Sequence, residues 1–381
     1  MKIVQITTDN REHYKTYDSR NPAFGAAPEA LLDGFRSQAD VEIHVISCLR
    51  RPVKSPERIA SNIHYHSITV PKSGGMSTLY VGCIRAVREL LSDIQPDMVH
   101  GQGTERECAL AAAYSGFPNV VTIHGNMAEL NRQGINFENQ KLFGFLCSRL
   151  ETYALRKTAG VFCNSAYTES LVSPRAKRTW RVPNAIRAEF FRPATISPVN
   201  DIPIILNVGH LGVRKRQLEI LQMAKRMHRE GHCFKLIFAG ALCEVSAYGR
   251  AFNEELKQAE ASGYATHAGF LDSDALIDLM DHSHGFIHFP LEEAFGLVVA
   301  EAMARGLKFF GANLGGIKEI AGGIPGAELY DDLTSLQGGV SRWLTAGSQR
   351  APESAASVRI RYAPAVVVAQ HLEIYREVLN R

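Results

Sequence analysis

Residues 291–306, LEEAFGLVVAEAMARG, gather the side chains of this 381-residue chain whose types and spacing could do chemistry. An apolar strand pattern ends near Phe289. Pro290 and the acidic pair Glu292-Glu293 follow, and Phe295-Gly296 open a helix predicted to run to about Arg305. No side chain there suits a helix cap, so the amides around Gly296, Leu297 and Val298 are left for an external anion. Glu301 lies about five residues in, roughly 7 Å along the axis at ~1.5 Å per residue. That is about the spacing between a diphosphate and the ribose of the same nucleotide. Glu293 lies on the other side of the anion site, where a sugar on the far phosphate would sit. A carboxylate in either place can accept hydrogen bonds from adjacent hydroxyls. Taken singly, the two acids also fit an ordinary amphipathic helix with an exposed Glu; the specificity resides in the whole string.

A second constellation is Gly209-His210-Leu211-Gly212-Val213-Arg214-Lys215-Arg216, directly after a strand pattern. A diphosphate gains charge as its bond to a sugar breaks, and fixed cations beside it stabilise that charge without a metal. The bland alternative is a solvated basic turn before the helix Gln217–Arg229, which suits Arg214 and Arg216 better than Lys215. Earlier, Phe24-Gly25-Ala26-Ala27-Pro28 combines a glycine that permits close backbone approach with a proline suited to a first helical turn. Thr122-Ile123-His124-Gly125 places His124 at the carboxyl end of a strand.

The pattern E-x-F-G-x4-E-A-M-A-x-G resembles the E-x7-E signature of retaining GT-B glycosyltransferases, especially the large family 4 of nucleotide-sugar-dependent enzymes. Phe295-Gly296 assigns the first acid to Glu293 and not Glu292. The resemblance covers essentially the whole chain and is strongest in its second half. It implies that Glu293 contacts the transferred sugar and that Glu301 grips the ribose diol. Lys215 matches the lysine of the family's G-R-L-x3-K-G segment, which clamps the donor diphosphate. His210 stands where Arg is usual and Arg216 where Gly is usual, and Arg214 is the candidate to supply the missing guanidinium. Gly25 and Ala26 match a loop that is usually G-G and approaches the donor phosphate. His124 matches a T-x-H-G/D position whose imidazole bonds the donor sugar. The segment His100-Gly101-Gln102-Gly103-Thr104-Glu105-Arg106 would line the acceptor side.

The implied reaction moves a sugar from a nucleotide diphosphosugar, UDP ahead of GDP or ADP, to an acceptor hydroxyl with retained configuration. Glu293, His124 and Lys215 are the catalytic candidates; Gly25, Ala26, His210, Arg214, Lys215, Phe295, Gly296, Leu297, Val298 and Glu301 are the donor-binding ones. No cofactor and no metal are expected, and the partners are the donor and a hydroxyl acceptor (a glycan, a lipid-linked sugar or a small molecule). A sugar-nucleotide epimerase on the same plan is one alternative. A non-catalytic nucleotide-sugar-binding relic, prompted by His210 and Ala26, is another.

The elements that must position these residues are short apolar β-branched runs alternating with amphipathic stretches. Strands are predicted at Lys2–Thr8, Val41–Ser47, Asp97–Gly101, Val120–His124, Gly160–Asn164 and Thr179–Pro183, separated by helices such as Leu79–Ser92, Arg106–Ser115 and Lys141–Lys157. Strands apolar throughout and separated by helices mean a parallel sheet covered on both faces. The series restarts at Ile204–Gly209, Lys235–Ala239, Ala265–Gly269, Gly285–Phe289 and Leu307–Ala312. Between the sets, Phe190–Pro203, with Pro193, Pro198 and Asn200-Asp201, has linker composition. The expected fold is α/β of GT-B architecture: two doubly wound Rossmann-like domains, 1–192 and 200–360, facing across a cleft. A helix over about 364–381 is expected to pack back on the first domain.

Composition sets outer limits. The chain is 45% hydrophobic and 21% charged with a net charge of +3, which excludes disordered, fibrous and strongly polyanion-seeking classes, and no nucleic-acid partner is expected. No apolar run approaches the ~18–20 residues that span a bilayer. Seven cysteines without a CxxC pair read as reduced thiols of a cytoplasmic protein. Arg175, Lys177, Arg178 and Arg181 around Trp180 read as a solvated basic loop, which leaves room for weak peripheral contact at the inner face of a membrane. Asp272-Ser273-Asp274 reads as a helix cap and not a metal site. His282, His284 and His288 lack a metal-ligand spacing. Acceptor choice is assigned to the loops Arg11–Phe24 and Met127–Asn139.

Overall fold

The computed structural model describes residues 1–134, 141–194, 202–242 and 246–380. Residues 135–139 of the stretch Met127–Asn139 (a helix, not a loop, over Met127–Gln133), Pro198, Asn200 and Asp201 of the linker stretch, Cys243 and Arg381 lie outside them. The chain divides into two units, Met1–Arg187 with Ala363–Arg381, and Ala188–Tyr362. The division falls at Arg187/Ala188, a few residues before the expected 192.

Unit 1 carries β1 (Lys2–Ile6), β2 (Glu42–Leu49), β3 (Arg58–Ala60), β4 (Ile63–Thr69), β5 (Met98–Gln102), β6 (Asn119–Ile123), β7 (Val161–Cys163) and β8 (Thr179–Arg181). They form one sheet in the order β3-β4-β2-β1-β5-β6-β7-β8. All neighbours are parallel except β3 with β4. β3 and β4 were not foreseen; β4 alternates apolar and polar residues, IHYHSIT, and so lacks the continuous run of its neighbours. One face buries Ile3, Ile43, Val45 and Phe162 under Val367, Val368, Leu372 and Tyr375 of the helix Pro364–Leu379. That helix lies close enough to the helix Ala26–Phe35 that a Cβ on Gly34 would strike Val368 and the Pro364 carbonyl, at 2.5 Å each. The other face buries Val4, Ile6, Ile46 and Val99 under the helices Val81–Ile94 and Cys108–Ala113. Covering both faces is what lets strands so apolar stay in water.

Unit 2 carries β9 (Ile204–Val208), β10 (Lys235–Ala239), β11 (Ala265–His267), β12 (Gly285–His288), β13 (Lys308–Ala312) and β14 (Ala327–Tyr330). The order is β11-β10-β9-β12-β13-β14, parallel throughout. β14, only four residues long and half-buried, was also not foreseen. In both sheets the strand order reverses once: beside β1 and β5 in unit 1, and beside β9 and β12 in unit 2. Crevices at the carboxyl ends of strands flanking such a reversal are where open α/β sheets bind ligands. Among the described residues no helix is long and apolar enough to cross a membrane.

Candidate active site

In unit 2 the reversal separates two loops. β9 and β12 pair only at Ile205↔Gly285 and Leu206↔Phe286. Beyond that the Asn207 side-chain amide spans the gap to the Ile287 carbonyl at 2.8 Å. The chain leaves β9 through Gly209, whose φ of +151° suits glycine, and a Cβ on neighbouring Gly240 would collide with the Gly209 carbonyl. A tight turn, Val213–Lys215, follows, and left-handed Arg216 starts the helix Gln217–Arg229. From β12 the chain leaves through His288, Phe289 and Pro290 to the acidic pair.

The two loops meet as a ladder of ion pairs. Lys215 Nζ donates to Glu293 Oε2 at 2.5 Å, and Arg214 Nη1 donates to Glu292 through its carbonyl oxygen at 3.2 Å and Oε2 at 3.3 Å. His288 Nε2 lies 3.0 Å from the same Glu293 Oε2. The three residues that follow or end β12 are buried: Glu292 at 3%, Glu293 at 9% and His288 at 1% exposure. Burial alone would push the Glu293 carboxyl up, but the Lys215 ammonium and the His288 bond hold it well below the usual carboxylate range. Burial, reinforced by Lys215, pushes His288 down to about 4, so the imidazole is neutral and donates to Glu293 through Nε2–H. Glu292 is pushed up, chiefly by burial, with Arg214 opposing, and its Oε1 is buried without a partner. Arg214, offered as the missing guanidinium, is thus already engaged with Glu292. His210 is exposed at the loop's start.

The helix Leu297–Ala304 begins next to this ladder. Gly296 is its N-cap with φ +102°, a conformation that costs a side chain dearly, and no side chain caps the amides that follow. Phe295 is buried edge-to-face on Tyr362, ring centroids 5.5 Å apart. Gly316 N donates to the Glu293 carbonyl at 3.0 Å, pinning the backbone that carries the acid. Glu301 is buried at 2% exposure, so the exposed surface glutamate of the bland reading is not what the fold presents. Lys215 spends one of its three donors on Glu293. Its remaining hydrogens and the amides of Leu297 and Val298 make a positive mouth suited to an oxyanion.

In unit 1, Gly25 is the extended N-cap of the helix Ala26–Phe35, again without a capping side chain, and Ala26 is its first residue. A Cβ on Gly25 would touch only Pro28 Cδ at 3.7 Å, so nothing within the chain demands glycine there. His124 follows β6. Its Nε2 lies 3.1 Å from Gln102 Oε1, while Gln102 Nε2 donates to Gln5 Oε1 at 2.7 Å and Gln5 Nε2 to Tyr375 Oη at 3.1 Å. The amide polarity of this chain makes His124 Nε2 the protonated nitrogen. Burial pushes His124 down to about 4 although the Asn184 side chain opposes it, and its Nδ1 is buried without a well-formed hydrogen bond. His100 does not line an acceptor surface. It is fully buried, bonded to Tyr375 Oη at 2.5 Å and Thr122 Oγ1 at 2.7 Å.

Glu105, beside Gly103 and Gly125, is pushed up to about 7 by burial with Glu151 adding to the rise, against bonds from backbone amides. With Glu12, Arg50, Tyr80 and Arg106 it lines a cavity of about 480 Å³. The loop from Arg11 is clamped by a buried ion pair: Arg11 Nη2 meets Asp9 Oδ2 at 2.6 Å, Tyr65 Oη donates to the same oxygen at 2.7 Å, and Arg11 Nη1 donates to the Ser19 carbonyl at 2.8 Å. The basic stretch around Trp180 is largely neutralised. Arg175 pairs with Glu151, Arg178 with Glu377 and Arg181 with Glu169. Asp272 accepts from Ala275 N at 2.9 Å as a helix cap. Sequence reasoning missed the role of His288. Its signal was the one used for His124, a histidine at the carboxyl end of an apolar strand.

Twin α/β units with this strand order are the architecture of the GT-B fold. Residues 192–323 match the family described as glycosyl transferases group 1, and residues 30–190 match glycosyltransferase family 4. The chain belongs to these family 4-type GT-B glycosyltransferases, transferases of class EC 2.4. Among curated proteins it is 25% identical over 248 residues to the phosphatidylinositol N-acetylglucosaminyltransferase gpi3 subunit of Schizosaccharomyces pombe. That match covers 56% of this chain and spans about half, 53%, of the yeast protein. Among solved structures, sucrose-phosphate synthase from Thermosynechococcus elongatus aligns with a TM-score of 0.76 at 16% identity over 100% of this chain and 99% of that one. Anabaena HepE in complex with UDP-glucose aligns with a TM-score of 0.71 at 17% identity over 99% and 100%. These likenesses concern the fold.

Proposed function

We propose that the protein transfers a sugar from a nucleotide diphosphosugar, UDP ahead of GDP or ADP, to an acceptor hydroxyl, retaining configuration and using no metal. The observation that carries this reading is the Lys215–Glu293–His288 cluster beside the uncapped mouth at Gly296. The diphosphate binds the amides of Leu297 and Val298 and the free donors of Lys215, Glu301 takes the ribose hydroxyls, and Glu293 takes those of the sugar. The acceptor oxygen attacks the anomeric carbon from the face the diphosphate leaves. The new C–O bond forms as the old one breaks, and the acceptor proton passes to a phosphate oxygen of the leaving group. Lys215 and the helix amides stabilise the charge that develops there, which is the part a metal would otherwise play. HepE, a fold neighbour solved with UDP-glucose, supports a UDP donor.

In unit 1 the reading keeps Gly25 for the donor phosphate and His124 for the donor sugar, and gives the acceptor the cavity beside Glu105. His124 is held as the Nε2–H tautomer by Gln102. The described cysteines are free, which fits a reducing cytoplasm. Weak peripheral contact with a membrane falls better on exposed Leu142, Phe143 and Phe145 of the helix Lys141–Lys157 than on the paired arginines near Trp180.

A thermal-shift screen of nucleotide sugars tests the donor. A ligand at 100 times its dissociation constant adds about 2.7 kcal/mol, and Lys215→Met abolishes the shift. Proton NMR of the product then reads the anomeric configuration. If no nucleotide diphosphosugar shifts the melting of unit 2, or an inverted product forms, the reading fails. If the sugar of the donor is interconverted without acceptor, the epimerase alternative replaces it.

A further inference from the structure

β2 and β4 lie side by side and in register, with His44 opposite His64 and Ile46 opposite His66. Side chains two apart on a strand share a face. Glu42 and His44 therefore stand on the same side of the sheet as His64 and His66. The rest of that face is built from residues such as Val4, Ile6, Ile46 and Cys48. A run of imidazoles, stacked and hydrogen-bonded among themselves, interrupts it.

The polar atoms converge. His44 Nε2 is 2.9 Å from Glu42 Oε1, and His64 Nε2 is 3.8 Å from the same oxygen. One ligand atom from each of the three residues lies within 4.8 Å of the other two. The His44 and His64 rings stack with centroids 4.8 Å apart and planes 10° from parallel. Metal–ligand bonds of ~2.0–2.1 Å imply ligand–ligand edges of about 2.9 Å in octahedral and about 3.3 Å in tetrahedral geometry. The Glu42–His44 edge already has such a length, whereas His64, 3.8 Å from Glu42 Oε1, must turn out of its stack on His44 to aim its lone pair at the same ion. The other nitrogen of His44, Nδ1, is 2.9 Å from His66 Nε2. That is the outer-shell hydrogen bond that fixes the ring orientation of a ligating histidine. Lys2 and Glu57 are the other charges acting on the group, of opposite sign.

We propose that Glu42, His44 and His64 bind one divalent transition-metal ion of the zinc type, with His66 orienting His44. Two imidazoles and one carboxylate form a borderline N/O donor set, and this triad leaves coordination positions for water. The Glu42 side chain is 46% exposed and that of His64 22%, so the ion enters from solvent. The site sits at the amino ends of β2 and β4, whereas His124 follows the carboxyl end of β6. The ion would cross-link neighbouring strands without touching the sugar-transfer chemistry.

Untagged full-length protein, stripped with a chelator and desalted, is titrated with zinc sulfate by calorimetry and with cobalt(II) by visible absorption. One equivalent should bind with a dissociation constant below micromolar and raise the melting temperature. His64→Ala should weaken binding at least about a hundredfold, and half-exposed Glu42→Gln about tenfold or more, while Cys83→Ser leaves it unchanged. The Glu42 variant keeps the test open should the histidine variant fold poorly. The proposal is overturned if no stoichiometric ion binds, if both variants bind as wild type does, or if Cys83→Ser removes the ion. The last result would assign it to the buried Cys48–Cys83–Glu107 group instead.

Discussion

Replacing Lys215 with Met removes the ammonium 2.5 Å from Glu293 Oε2 and keeps the length of the side chain. Both partners are mostly buried, with side chains 18% and 12% exposed. Stranding one partner of a fully buried pair costs about 3–5 kcal/mol. Because His288 still donates to Glu293, we expect about 2–4 kcal/mol here. Glu293→Gln should cost less, about 1–2 kcal/mol, because Lys215 can reach water. The double variant should be more stable than the sum of the two losses by about 1–3 kcal/mol.

The pH dependence has a definite sign. The folded-state pKa of Glu293 is depressed, so its contribution is present above the ordinary carboxylate value of ~4.3 and is lost as pH falls through the lower folded value. His288 is also depressed, and its contribution is lost as pH falls from ~6.5 through about 4. Removing Lys215 raises both folded values, so the stability gap between wild type and Lys215→Met should narrow from pH 7 to pH 4. The chain has two tryptophans, Trp180 in unit 1 and Trp343 in unit 2. Urea unfolding followed by fluorescence in a Trp180→Phe background therefore reports unit 2. Additivity within about 0.5 kcal/mol, or a gap that widens at low pH, would refute the ion-pair reasoning.

Three further outcomes are expected. Gly296→Ala forces a side chain into φ +102° and should cost unit 2 about 1–3 kcal/mol, read by the same fluorescence; wild-type stability would mean that the turn relaxes freely. Glu301→Gln should weaken UDP about 10- to 100-fold, the range for a hydrogen bond to a charged group, by calorimetry; unchanged affinity removes Glu301 from the ribose. Gln102→Leu should lower kcat about tenfold or more at an unchanged donor KM, because His124 loses the bond that sets its tautomer. Gln102→Glu, which keeps the acceptor oxygen, should restore part of the rate, and an equal loss in both variants would reduce Gln102 to packing.

Much of this arrangement was legible from local pattern. Glu293, Gly296 and Lys215 announce themselves because a loop that must leave amides and charges uncovered departs from ordinary capping and turn chemistry. Short apolar runs revealed eleven of the fourteen strands among the described residues. β4 was hidden by its histidines, and β14 by its brevity beside Gly326 and Pro325. The pairing of Arg214 with Glu292, and the burial of His100 and Glu301, were not readable. The first two depend on which residues 78 or 275 positions apart are brought together, and no local periodicity encodes that. His288 was passed over because it was weighed only as a metal ligand and not as a neighbour of the acid five residues on.

The helix Pro364–Leu379 supplies Leu372 and Tyr375 to the core beneath β1 and β2, yet it is synthesised after all of unit 2. Unit 2 is one uninterrupted stretch and can mature on the ribosome while the earlier-made sheet waits with an apolar flank bare. A nascent chain arrested near residue 362 would hold a finished unit 2 and an unfinished unit 1. That interval is when chaperones have most reason to engage it.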